Sequence, residues 1–472
     1  AMAAVESSAG VIHIEPYHPA FKLSPLIGKQ PLSDRFRAAS EIYTLDLTLH
    51  KGEDAGAVAA ALSEMGGNVL AAYDSLVRVE IHRSLLGDVA ALEPVFLVDE
   101  WQKLFTRAEE TTNVIQTGNY FAGGIEAPSP YHNAGLRGSG QVIMILDSGI
   151  SVDAGDMSQT DSDPGTVGPT HRKVLVNAAT DLFGGLGDTL SCDDPLLGGF
   201  THGQVVSATA LGWATDVDTA YGTGFFALDD NGNQWALDGV APEAKVVFYD
   251  GNVTPATGNC GDAENDGIRP GNLYTSPSDG SLGVSHTTHG AHVANFSWGS
   301  LSNTYGLNAI DIDDFLFDKE DAMVFVSAGN AGSDDDADGI PDPETLGAPA
   351  TCKNCLAIGA TGNANAIGER RTERDKAFFS SVGPAPGGRV APQLMAPGQE
   401  RLGPGMGMDS EFACRSNDND QTGTVECDVN SDFSGTSFSS PAAAGAALLV
   451  RDYFAKGFYP DGTDTNTSNA SD

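Results

Sequence analysis

Three side chains of this chain, Asp147, His202 and Ser437, are of the types that together carry out acyl transfer. A serine hydroxyl is a poor nucleophile until a neighbouring imidazole takes its proton. The imidazole in turn needs a carboxylate to fix its tautomer and steady the imidazolium. Asp147 ends the apolar run VIMIL and precedes Ser-Gly, so its carboxylate is expected to project from the end of a strand. His202 lies in GFTHGQVVSATALG, where a glycine follows it and a helix is expected over 202–212. Ser437 stands in SGTSFSSPAAAGAALLV (434–450), a small-residue turn leading into an apolar run. That pattern predicts a long helix over 437–456 with Pro441 in its first turn, where a missing N–H costs nothing. The unpaired N–H groups at its start would face an oxyanion.

These residues need a scaffold that brings strand ends together. The stretches 141–150, 245–251, 292–299, 323–330 and 355–361 read as buried strands, and they alternate with helical segments, which predicts an α/β fold with a mostly parallel, doubly wound sheet. In such sheets ligands bind beyond the carboxyl ends of the strands. Ahead of it, 41–101 reads βαββαβ, a small ferredoxin-like α+β domain. Residues 1–40 form an irregular, Pro-punctuated leader. Residues 102–122 are a polar linker, 123–460 the α/β domain and 461–472 a polar tail too short of apolar groups to fold.

Composition narrows the function classes. The chain has 472 residues, with 64 Asp and Glu against 25 Lys and Arg, a formal charge of −39. Such a field repels nucleic acid and anionic membranes. No run approaches the apolar length of a membrane span. Residues 1–10 carry neither a basic start nor an apolar core, so no signal peptide is visible. Six cysteines, an even number in a Gly-, Asn- and Asp-rich chain, fit an oxidising, secretory setting. Cys352 and Cys355 form a CxxC, and Cys414 and Cys427 flank an acidic loop. Local disulfides are expected, with a zinc site from these four as the alternative.

In SDDDADGIPDPE (333–344) the carboxylates of Asp334, Asp336 and Asp338 alternate before Gly339, followed by the Ile340 carbonyl and by Asp342. This matches the first nine positions of a calcium loop, although Thr345 stands where the last carboxylate belongs. A structural Ca2+ is expected there, with no organic cofactor.

Several further motifs join the three reactive residues in one order: GVAPEAKVVF (239–248), NFSWG (295–299), FVSAGN (325–330), FSSVGP (379–384), LMAPG (394–398) and GTSFSSP (435–441). With VIMILDSGI and THG they resemble the subtilisin-like serine peptidases over roughly residues 120–460. The resemblance implies a secreted serine endopeptidase made as a zymogen, with Asn330 as side-chain oxyanion donor. It implies that Ser297, Trp298 and Gly299 line the path of extended polypeptide substrates. It also implies that 41–112 is a propeptide whose tail lies in the active-site groove. Members of the family continue beyond the helix that carries the serine, so the last helices are expected from a further C-terminal segment or a second chain.

Three features depart from the pattern. Gln204 and Val205 follow His202-Gly203 where the family carries a Thr, and Phe438 follows the nucleophile where Met is commonest. HGAHVA (289–294) looks more like the family's histidine motif than THGQVV does. It falls after GVAPEAKVVF and runs into NFSWG, however, so His202 is taken as the base and His289 and His292 as strand or loop residues. The alternatives are a sedolisin-type serine-carboxyl peptidase, which needs Glu in place of His and Asp in the oxyanion position, and a catalytically inactive binding module.

Overall fold

A computed structural model describes residues 18–25, 27–28, 40–73, 76–100, 105–106, 115, 130–150, 152, 156–159, 165–180, 202–213, 238–254, 259–260, 267–334, 340–362, 375–399, 434–464 and 467–471. The chain divides into two compact units, Ala1–Trp101 and Gln102–Asp472.

In the first unit the elements run β1 (Ile42–Leu49), α1 (Ala55–Glu64), β2 (Asn68–Tyr73), β3 (Leu76–His82), α2 (Leu86–Ala91) and β4 (Val95–Glu100). The strands pair antiparallel in the order β2-β3-β1-β4, the ferredoxin-like arrangement that the βαββαβ order predicts. Alternation explains the core: Leu45, Leu47 and Leu49 of β1 face inward, as do Val77, Val79 and Ile81 of β3, and they meet Val58 and Leu62 of α1. Asp54 caps α1 by accepting from the Gly56 N–H at 2.8 Å. The leader is less irregular than its prolines suggest. Pro19–Lys22 form a 3-10 turn, and Lys22 Nζ donates to the Leu92 carbonyl at 2.7 Å.

The second unit is built on a seven-stranded sheet in the order β15-β14-β13-β11-β6-β8-β7, every pair parallel. Its elements are β5 (Phe105–Thr106), α3 (Pro130–Asn133), β6 (Val142–Asp147), β7 (Val174–Ala179), α4 (His202–Leu211), β8 (Lys245–Asp250), β9 (Val253–Thr254), β10 (Asn259–Cys260), α5 (Ser281–His289), β11 (Val293–Phe296), β12 (Trp298–Gly299), α6 (Leu307–Asp318), β13 (Met323–Ser327), β14 (Leu356–Gly362), β15 (Leu394–Gln399) and α7 (Thr436–Ala455). Strands buried on both faces read as continuous apolar runs, and β6 shows why. Ile143 and Ile145 pack with Val205, Val206, Phe438 and Leu448 of α4 and α7, whereas Met144 and Leu146 pack on the other face with Leu282, Ile312 and Phe315 of α5 and α6. Strands β6, β7 and β8 fill one side of the sheet and β11, β13, β14 and β15 the other. The winding therefore reverses between the neighbours β6 and β11, and the crevice beyond their carboxyl ends is where such a fold binds ligands.

Two sequence expectations shift at the chain's end. Helix α7 begins at Thr436, so Pro441 is its sixth residue, not part of a first turn. The tail is not wholly unstructured: Thr467–Asn469 make a 3-10 turn, and Ser471 N–H donates to the Phe454 carbonyl at 3.1 Å. Backbone bonding onto the helix end holds it without an apolar contribution of its own. Cys352 and Cys355 form a disulfide, which removes both thiolates from the alternative zinc site. Cys192, Cys414 and Cys427 lie outside the described residues.

Candidate active site

Asp147 is the last residue of β6 and His202 the first of α4. Both are buried, and His202 Nδ1 lies 2.6 Å from Asp147 Oδ1. With Nδ1–H committed to the carboxylate, Nε2 is left as the basic nitrogen. The carboxylate is itself held, since Oδ1 accepts the Ser148 N–H at 2.8 Å. Ser148 Oγ reaches across to accept the Gly203 N–H at 2.9 Å, which ties the start of α4 to the end of β6. Gly203 is required for this approach, because a Cβ there would lie 2.2 Å from the Gly149 carbonyl oxygen.

Ser437 is the second residue of α7 and is buried. Its hydroxyl donates to the Ser297 carbonyl at 2.7 Å, so rotation about its Cα–Cβ bond is needed before it can donate to His202. The contact is reciprocal: Ser297 Oγ donates to the Ser437 carbonyl at 2.5 Å. That carbonyl would ordinarily accept the N–H of residue 441, four positions on, but Pro441 has none. The Ser297 hydroxyl replaces the missing helical donor. It is positioned by Asn295, whose Nδ2 donates to Ser297 Oγ at 2.9 Å, while Asn295 Oδ1 accepts from Ser440 Oγ at 2.7 Å. Asn295, Ser297, Ser437 and Ser440 are all fully buried. The sequence reading missed Asn295 and Ser440; the available signal was the i, i+2 spacing of Asn295 and Ser297, which puts two polar groups on one face of an otherwise apolar strand.

Asn330, half-buried just beyond β13, turns its oxygen away from the crevice. Oδ1 accepts both the Thr436 N–H and the Thr436 hydroxyl at 2.9 Å, and Thr436 Oγ1 accepts the Gly329 N–H at 3.0 Å. This leaves the amide Nδ2 as the donor end, with no acceptor among the described residues. Phe438 is buried and stacks on the His202 ring, with centroids 5.8 Å apart and planes at 25°. Phe438 therefore limits how the imidazole can turn. Trp298 and Gly299 form β12, which pairs antiparallel with β5 through Trp298↔Thr106 and Gly299↔Phe105. The Trp298 indole N–H donates to the Leu146 carbonyl at 2.9 Å, so the ring supports the strand from beneath.

Residues 138–463 match the family model described as the subtilase family. The chain belongs to the subtilase family. Two relatives, the serine protease/ABC transporter B family proteins tagD and tagB of Dictyostelium discoideum, are 24% and 23% identical over 407 and 411 residues. These alignments cover 70% and 69% of the chain but 19% and 18% of the relatives, so the chain spans about a fifth of the length of the curated relatives it matches. Among solved structures, fervidolysin from Fervidobacterium pennivorans, a keratinolytic enzyme related to subtilisin, gives a TM-score of 0.49 at 17% identity, covering 88% of this chain and 55% of that one. The epidermin leader peptide processing serine protease of Staphylococcus aureus gives 0.45 at 14%, covering 89% and 91%.

The second histidine motif of this subtilase is not part of the crevice. His289 is the last residue of α5, not a strand residue, and His292 precedes β11 at the opposite end of the sheet from Ser297. The reason is local: Gly290 takes a left-handed φ of 70° and ends the helix there. Of the expected calcium ligands, Asp336 and Asp338 lie outside the described residues. Asp342 closes the loop onto Ser333, its N–H donating to the Ser333 carbonyl and its Oδ2 accepting from Ser333 Oγ, both at 2.8 Å.

Proposed function

We propose that the chain is a serine endopeptidase working by acyl transfer. Ser437 is the nucleophile, His202 the general base and then acid, and Asp147 the group that orients His202. Asn330 Nδ2 and the Ser437 N–H stabilise the oxyanion. The single observation that carries this reading is the buried 2.6 Å Asp147–His202 bond beside the start of the helix that bears Ser437. A histidine in contact with the carboxylate stands where the sedolisin reading needs Glu, and Asn330 stands where it needs Asp. Labelling by a serine-directed phosphonate tests the assignment: wild type reacts, while S437A and H202A do not. A non-catalytic binding module would leave wild type unlabelled.

Extended polypeptides would bind by strand pairing along Ser297, Trp298 and Gly299. The antiparallel pairing of Phe105–Thr106 with Trp298–Gly299 supports a zymogen, because a segment following the ferredoxin-like unit occupies the edge a substrate would use. Self-cleavage is expected within 101–122, and an S437A protein that still matures alone would sink the intramolecular version. Secretion is favoured by the even cysteine count and by the disulfide at Cys352 and Cys355. Asp334, Asp336, Asp338, the Ile340 carbonyl and Asp342 would hold a structural Ca2+, since the donor set is all hard oxygen and Ser333 draws the loop closed. Chelation that left the melting temperature unchanged would remove this element.

A further inference from the structure

We propose that His286, His292 and Asp321 form a binding site for a divalent transition-metal ion of the Zn2+ type, at the end of the sheet opposite the reactive serine. The three residues come from separate segments. His286 lies in the last turn of α5, His292 precedes β11 and Asp321 sits in the turn between α6 and β13. The left-handed Gly290 reverses the chain between the two histidines, and the Met323 N–H donates to the His292 carbonyl at 2.8 Å, which brings the Asp321 turn alongside.

His286 Nε2 lies 3.0 Å from Asp321 Oδ1, and His292 Nδ1 lies 3.0 Å from Asp321 Oδ2. The two rings are edge to face with centroids 4.8 Å apart, and one donor atom from each of the three residues falls within 4.8 Å of the others. Ligands about 2.0–2.1 Å from a tetrahedral zinc stand roughly 3.3 Å from one another. Two edges of the triangle are already near that separation. The remaining edge, between the two imidazole nitrogens, is at most 4.8 Å and closes by a turn of the His292 ring, whose side chain is 28% exposed.

Hydrogen bonding alone leaves the cluster incompletely satisfied. Among the described residues His292 Nδ1, the nitrogen that faces the carboxylate, is buried and makes no aligned hydrogen bond despite its 3.0 Å approach. Two imidazole nitrogens drawn up to one carboxylate are a donor set that a shared cation can use. Imidazole selects Zn2+, Co2+, Ni2+ or Cu2+ over Ca2+ and Mg2+, so this site differs in kind from the all-oxygen loop at Asp334. Solvent at Asp321 leaves room for water to complete the coordination. The net charge of −39 raises the local concentration of cations.

The ion would pin the end of α5, the start of β11 and the α6–β13 turn together. Strand β11 separates it from Ser297 by four residues, roughly 13 Å at the strand rise. Its effect is therefore on stability and not on the acyl-transfer chemistry, and it gives the HGAHVA segment a role the reactive site does not supply.

The test uses untagged full-length protein carrying S437A to prevent autolysis, dialysed against EDTA and held in saturating Ca2+. Titration with Zn2+ is followed by calorimetry and thermal melting, and with Co2+ by visible d–d absorption. The expected result is saturable Zn2+ uptake, a melting temperature raised by a few degrees, and a Co2+ spectrum of mixed nitrogen and oxygen ligation. H286Q, H292Q and D321N lose all three signals, while H289Q keeps them, and far-UV circular dichroism shows that the variants are folded. Absence of saturable uptake and of Co2+ bands in the parent protein overturns the proposal whatever the variants do. Equal uptake by H286Q or H292Q overturns it as well.

Discussion

Replacing Ser297 by Ala should expose the cost of placing Pro441 in the helix that carries Ser437. Because Pro441 has no N–H, the Ser437 carbonyl depends on Ser297 Oγ at 2.5 Å, in a place no solvent reaches. The S297A change orphans that carbonyl and also the Asn295 Nδ2 that donates to the lost hydroxyl. At about 1–3 kcal/mol for each buried unsatisfied group, the two together cost about 2–6 kcal/mol. In a P441A background the residue-441 N–H can bond the Ser437 carbonyl in the ordinary helical way, so only the Asn295 cost remains. The cycle of S297A, P441A and the double variant should therefore show a coupling of about 1–3 kcal/mol, with the intrinsic gain from removing proline cancelling out. Unfolding by guanidinium in an S437A background, which keeps the backbone carbonyl and stops autolysis, measures it. Additivity within about 0.5 kcal/mol would refute the claim that Ser297 substitutes for the missing helical donor.

N330A should lower kcat by about 10²–10³ with little change in KM, the scale for losing one preorganised oxyanion donor, as read by steady-state peptide hydrolysis. G203A should cut kcat/KM by about 10² or more while the protein stays folded, because the Cβ that would lie 2.2 Å from the Gly149 oxygen must push the His202 helix away from Asp147; wild-type kinetics would show the contact to be relieved cheaply. His132, whose Nε2 meets the Val240 carbonyl at 2.9 Å, has its pKa lowered to about 4, chiefly by burial. The unfolded chain then binds the extra proton first, so the stability this residue contributes is complete above pH 6.5 and is lost as pH falls towards 4. About 3 kcal/mol is at stake. H132Q should flatten that part of the pH–stability curve, and an unchanged slope between pH 6.5 and 4 would contradict it.

The sequence by itself determined the architecture, because that information is local and periodic. β6 reads as an uninterrupted apolar run since both its faces are covered, and β1 alternates since only one is. The glycine after His202 and the small residues around Ser437 likewise mark close backbone approach before any coordinate is known. What depends on contacts distant in sequence was not legible. Pro441 seemed harmless in a first turn, whereas the helix starts at Thr436 and the proline is tolerated because a hydroxyl 140 residues away takes its place. Asn330 could be named as an amide near the oxyanion, but only its bonds to Thr436 decide which end faces the crevice. His292 immediately precedes the strand that leads to Ser297, and the sequence puts both on one segment without showing how far apart they stand. A parallel strand carries its two ends to opposite edges of the sheet, so tertiary structure alone separates the acyl-transfer crevice from the His286–His292–Asp321 cluster.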